Sequence, residues 1–231
     1  MTGALPDLTP FFERYERHAR EADALFERIR SEFPDLVVCR ERCSGCCHAL
    51  FDLSLVEALY LNAKFLERFP AGAERAALLD LADGVDRKTA VFKRKIFKDS
   101  QAGKDSNAIL SEVAARRMRC PLLGENELCR LYDVRPITCR LYGVPTAIGG
   151  KAHTCGLTGF RQGRAYPTVA LDKMQQRLTA LSEDLARDIG SAYKELSLVY
   201  VPVSSVLITA YDARYLGLGG NNGGDKAKAR P

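Results

Sequence analysis

The stretch CRERCSGCCHAL, residues 39–50, holds four thiols within nine positions, and Cys46 and Cys47 are adjacent. Four more cysteines follow at Cys120, Cys129, Cys139 and Cys155, and the rest of the chain has none. Thiols in such numbers can form disulfides, lie scattered in a core, or bind metal. Disulfide staples suit short secreted modules, whereas 231 residues, 46% of them hydrophobic, can bury a core without them. Unrelated core cysteines would not fall into two groups. Reduced, grouped thiols point to metal, with all eight as candidate ligands.

The spacing is Cys39-x3-Cys43-x2-Cys46-Cys47, then Cys120-Pro121-x7-Cys129-x9-Cys139, then Cys155. Zinc modules use paired C-x2-C hooks that present two thiolates to one tetrahedral ion. The second group has no such hook, so eight thiolates divide poorly into two zinc sites. An iron–sulfur cluster is larger, accepts ligands further apart, and tolerates C-x3-C-x2-C. Ligand spacing therefore favours an iron–sulfur centre, [4Fe-4S] in type, over zinc. Neighbouring side chains diverge on a helix or strand, so Cys46 and Cys47 either share a multinuclear centre or only one binds. His48 and His153 are near enough in sequence to be ligands, although a surface histidine is the more ordinary state.

Charge supplies a second clue. Arg40, Arg42, Arg119, Arg130 and Arg140 each adjoin a cysteine, so five of the eight have a neighbouring guanidinium. Four thiolates around Zn2+ or an oxidised four-iron cluster leave about two negative charges, which arginine can offset. Arg140 is the stronger candidate for that role. Asp133-Val-Arg135-Pro136 reads as a turn aiming Cys129 and Cys139 at one centre, with Arg135 pairing either Asp133 or sulfur.

The elements that must position these thiols read as helical. Residues 9–33 form an amphipathic helix, with Thr9 as N-cap and Pro10 in the first turn. Its stripe comprises Phe12, Tyr15, Ala19, Ala22, Leu25, Phe26, Ile29 and Phe33. Ser54 and Glu57 form a capping box that opens a helix to about Phe69. Residues 72–99 continue as helix, with Leu78, Leu79, Leu81, Val85, Val91, Ile96 and Phe97 as its apolar side. Ser106 caps a helix to about Met118. Residues 120–155, rich in Pro and Gly, read as loops. Helices follow over 168–197 and 203–217. The expectation is a mainly α, single helical domain over 1–217, whose irregular Cys-rich loops (motif core 39–155) converge on a metal centre, followed by a disordered Gly-rich tail over 218–231.

No secretion signal opens the chain and no apolar run is long enough to cross a bilayer, so a cytoplasmic, reducing setting is expected. The net charge of +5 is spread along helices, giving no strong nucleic-acid signal. A metal ion or cluster is the expected partner, with room for a protein partner.

The motifs CRERCSGCC and CPLLGENELCRLYDVRPITCRLYG resemble the YkgJ-type cysteine-cluster family of zinc- or iron-chelating proteins. Seven cysteines fall in register with Pro121, Tyr132, Arg135, Pro136, Arg140 and Tyr142, and Cys155 matches a trailing cysteine. The resemblance implies metal chelation. It also admits an enzyme, because the family includes flagellin lysine N-methylases that use S-adenosylmethionine. Cys39-x3-Cys43-x2-Cys46 has the spacing of radical enzymes using that cofactor, but those place it after the first strand of an α/β barrel, and here a long helix precedes it. No Gly-rich phosphate loop follows a strand. A zinc-stabilised interaction module is the third reading. Catalytic residues are not identifiable from the residues alone.

Overall fold

The computed structural model describes residues 5–161 and 163–218, so the tail expected to be disordered lies, but for Leu218, outside the described residues. Among the described residues the fold is seven helices with two very small sheets. Helix α1 spans Thr9–Glu32, and the Asp7 carboxylate accepts the Thr9 N–H at 2.9 Å. Thr9 is therefore inside the helix and not its cap. Phe11, Tyr15, Ala19, Ala22 and Ile29 are buried, with Phe12, Leu25, Phe26 and Phe33 packed at the edge.

Helix α2, Leu55–Arg68, is the centre of the molecule. Residues 55–62 are all buried, so it is apolar all round and covered on every side. Its start is the expected capping box. The Ser54 N–H and hydroxyl both donate to Glu57 Oε2, at 3.2 and 3.1 Å. A further first-turn donor also finds a partner, Val56 N–H donating to Ser182 Oγ at 3.2 Å, and the buried Asn62 side chain donates to the Val206 carbonyl at 2.8 Å.

Helix α3, Ala73–Gln101, runs uninterrupted through Gly84. Its inward residues are Leu78, Ala82, Val85, Thr89 and Phe92, while Leu81, Val91 and Phe97 are exposed. The expected apolar side is thus corrected: spacing of four and three selects the face, and two of its members are the small Ala82 and the polar Thr89. Helix α4, Ser106–Ala115, is capped by Asp105, which accepts from Ala108 N–H at 3.0 Å, and not by Ser106.

The segment expected to be loops contains a short helix α5, Ile137–Leu141, and a hairpin. Strand β1, Asp52–Leu53, pairs antiparallel with β5, Val201–Pro202. Strand β2, Thr146–Ile148, pairs with β3, Lys151–His153, and lies parallel to β4, Val169–Ala170. The helix expected over 168–197 therefore begins as strand, continues as α6, Leu171–Asp188, and stops at Gly190, whose φ of 65° a non-glycine residue resists. The last helix, α7, covers only Val203–Ile208. Helices α1, α6 and α7 surround α2, and α5 lies against α1.

Candidate metal centre

The two cysteine groups meet through their backbones. Cys120 N–H donates to the Cys47 carbonyl at 2.7 Å, and Met118 N–H donates to the His48 carbonyl at 3.0 Å. Arg117 adds a side-chain stitch, donating to the Gly45 carbonyl at 3.0 Å and the Tyr142 hydroxyl at 3.4 Å. Cys39 lies in the turn beyond α1, with its thiol 3.5 Å from the Tyr142 carbonyl. Cys46 and Cys47 sit on a 3-10 turn, Cys46–His48. Cys129 bridges to Leu123 in a tight loop, Cys139 rides on α5, and Cys155 follows β3.

Seven thiols, all but Cys120, line one cavity of about 560 Å3. Beneath it is a smaller apolar pocket of about 60 Å3, lined by Cys46, Cys47, Cys120, Cys129 and Cys139 together with Leu50, Phe51, Leu61, Leu122 and Leu131. All eight cysteines are unpaired, and all eight predicted ligand positions come to this one region. Among the described residues, no three His, Cys, Asp or Glu side chains already stand in ion-binding geometry.

The thiols perturb one another. Cys46 is drawn well below the usual thiol range, because the Cys139 and Cys47 thiols hydrogen-bond to it and Arg135 adds positive charge. Cys129 is lowered by a hydrogen bond with Cys47. Cys139 and Cys47 are pushed up, first by those hydrogen bonds to thiolate and then by burial. Burial chiefly lifts Cys39 and Cys120 to about 12 each, with neighbouring thiols adding to it. So many thiolates crowded together do not all ionise without a cation, and a metal would release the remaining protons.

Arg140 is 6% exposed, lines the thiol cavity, and places three of its five N–H donors on the framework. It donates to the Arg135 carbonyl at 2.8 Å, the Asp133 carbonyl at 2.7 Å and Asp23 at 2.5 Å. Arg135 lies 4.0 Å over the Tyr132 ring and pairs with Asp23 at 3.3 Å. It is the arginine whose charge acts on Cys46 and Cys129. Its expected pairing with Asp133 is not seen, since Asp133 binds Arg68 at 2.9 Å. Arg119 and Arg130 bind Glu127 and Glu74, while Arg40 and Arg42 line the cavity. His48 is held by the Ser44 carbonyl at 3.0 Å, and His153 is exposed on β3; neither lines the cavities.

Two supporting residues escaped the sequence reading. Asp23, a partly exposed acid on α1, gathers Arg135 and Arg140. Glu57, 1% exposed, accepts Ile137 N–H at 3.1 Å and so joins the start of α2 to the start of α5. Its capping box was visible, but its link to α5 was not.

Gly143 fixes Cys39. Its φ is 114°, and a Cβ there would lie 2.3 Å from Cys39 Sγ. Gly143→Ala is expected to cost about 1–3 kcal/mol through backbone strain and overpacking, measured by urea denaturation; a loss below about 0.5 kcal/mol would contradict this packing.

The CxxCxxCC family model, described as "Putative zinc- or iron-chelating domain", matches residues 38–156. No curated protein and no solved structure matches the chain. The match takes in all eight converging cysteines and more than half of the 231 residues, and the chain belongs to this zinc- or iron-chelating cysteine family.

Proposed function

We propose that this protein is a cytoplasmic metal binder whose clustered cysteines chelate an iron–sulfur cluster, in a redox, metal-handling or structural role. The observation that carries the reading is the lining of one cavity by seven thiols drawn from two distant parts of the chain. The donor set is all sulfur, which suits soft metals and clusters. The supply of seven thiols around one cavity exceeds the four that a single tetrahedral ion takes, which favours a multinuclear centre. A bound cluster would supply one-electron chemistry or a store of iron. The chain's own residues do the rest. Cysteines hold it, Arg135 offsets the thiolate charge, and the apolar wall of Leu50, Phe51 and Leu61 excludes water, a known lever on cluster potential.

The methyltransferase alternative gains no support from the fold. Among the described residues the strands are two or three residues long, and no nucleotide-binding sheet is formed. The test is iron, zinc and sulfide content of protein purified without oxygen, with its visible spectrum. A brown protein with about four irons and four sulfides is the expected result. A colourless protein holding zinc and no sulfide would overturn it in favour of a zinc-stabilised module. A change in the reduced cluster's paramagnetic signal on adding S-adenosylmethionine would reinstate the enzyme.

A further inference from the structure

An open groove of about 1000 Å3 shares no lining residue with the thiol cavities. Its floor is apolar, built by Phe12 of α1, Leu59 and Leu66 of α2, Leu79 of α3 and Ile208 of α7. Leu66 is 46% exposed there. Asp7, Asp80, Asp83 and Asp212 stand around it against one arginine, Arg75, in a chain whose net charge is +5. An apolar groove with an acidic rim fits an apolar side chain flanked by basic ones. The far end of α3 presents that combination. Phe97 is 62% exposed, and Arg94 and Lys98 beside it are exposed too. Among the described residues Asp80, Arg94 and Lys98 join no ion pair; Arg94 donates only to the Ala90 carbonyl of its own helix, and Asp83 holds Arg87 at 2.8 Å.

We infer that this groove and this helix end are the two halves of one self-complementary surface, through which two copies of the chain pair their α3 helices antiparallel. Phe97 of each copy enters the groove of the other beside Leu79, Lys98 meets Asp80, and Arg94 meets Asp83. The spacings carry the argument. Phe97 lies eighteen residues beyond Leu79, and Lys98 eighteen beyond Asp80. Eighteen residues make five turns at about 3.6 residues each, so the members of each pair stand on one line of the helix. Arg94 lies eleven residues beyond Asp83, or about three turns. The helix holds Phe97 about 27 Å from Leu79, too far to enter its own groove. A two-fold axis brings two positions of an antiparallel pair together when it crosses midway between them. All three midpoints fall at residues 88–89, so one axis beside Lys88 and Thr89 makes all three contacts at once, twice each. Val91, 66% exposed, lies near that axis, against the stem of Arg87 in the other copy. Exposed ion pairs add little affinity, so the aromatic anchor supplies most of it and the charges fix the register. One helix face and one pocket make a small contact, and a weak, reversible dimer is the expected state.

The experiment is sedimentation velocity on the full chain as purified, over a concentration series, with reductant present to prevent disulfide-linked dimers. The expected result is a reversible shift from the 25.5 kDa chain toward twice that mass, half complete at roughly 1–100 μM. Phe97→Asp should weaken the association at least about tenfold and leave circular dichroism and metal content unchanged, because the side chain is exposed. Asp80→Lys and Lys98→Asp should each weaken it about three- to tenfold by setting like charges opposite each other. The two together exchange the charges and keep the pairing, so the double variant should return to within about twofold of wild type. A chain that stays monomeric up to about 1 mM overturns the inference. So does a dimer that Phe97→Asp leaves intact, or a pair of reversals that weaken singly and are not restored in combination. A monomer whose Leu66 methyl resonances move when Lys226, Lys228 and Arg230 are all changed to Glu would give the groove to the chain's own tail instead.

Discussion

Glu57→Ala is expected to lower stability by about 3–5 kcal/mol. Two buried amide donors, of Ser54 and Ile137, would lose their acceptor, at roughly 1–3 kcal/mol each, and a cavity would remain. The damage would spread to the thiols, because Ile137 opens the helix that carries Cys139. Urea denaturation of the metal-free protein gives the number, and a loss under about 1 kcal/mol would refute the clamp. Burial is the leading cause that raises the Glu57 carboxyl above its usual range, against hydrogen bonds from Ile137 and Ser54 that lower it. An acid raised in the folded state stabilises the fold fully below its unfolded value of about 4.3, and that contribution is lost as pH climbs through the folded value. Wild type should therefore lose ground to Glu57→Gln as pH rises above the unfolded value of about 4.3, even though the amide is the poorer acceptor for two N–H groups.

Cys46→Ser should remove at least about 90% of the resident metal, a loss no smaller than the 10–100-fold that even outlying support residues command. Cys46 borders both cavities and is the thiol most strongly held as thiolate, through the Cys139 and Cys47 hydrogen bonds and Arg135. Serine keeps the size but supplies a hard, protonated oxygen. Metal per protein after gel filtration, with competition by a chelator, measures the effect. Full metal retention would show that Cys46 is not a ligand. Circular dichroism should be unchanged, since the core of α1, α2 and α6 does not include this residue.

Much of this was legible in the sequence, for physical reasons. The thiol spacing, the α1 stripe and the Ser54–Glu57 box are local patterns, and local patterns survive into the fold. The outward face of α3 was misjudged because Leu81, Val91 and Phe97 are apolar yet have nothing to pack against, while Ala82 and Thr89 do. Hydrophobicity names candidates for a core, but neighbours elect them. Strand β4 hid inside a helical pattern because its partner, β2, lies over twenty positions earlier in the chain. A still longer separation concealed Asp23. Its two arginines come from a motif more than a hundred residues away, and nothing in α1 announces them.

The stitch between Cys47 and Cys120, and that between His48 and Met118, has a consequence for how metal identity is settled in a cell. Small zinc modules are chosen by their metal, since without it they have no fold. Here the two halves of the motif are joined by backbone N–H groups that donate to carbonyls, and they are backed by an apolar core. A framework joined this way, carrying the metal proposed above, would leave the choice of metal to supply and not to folding. Sulfur ligands bind copper and zinc more tightly than ferrous iron, so an iron occupant would have to arrive first or be handed over as a finished cluster.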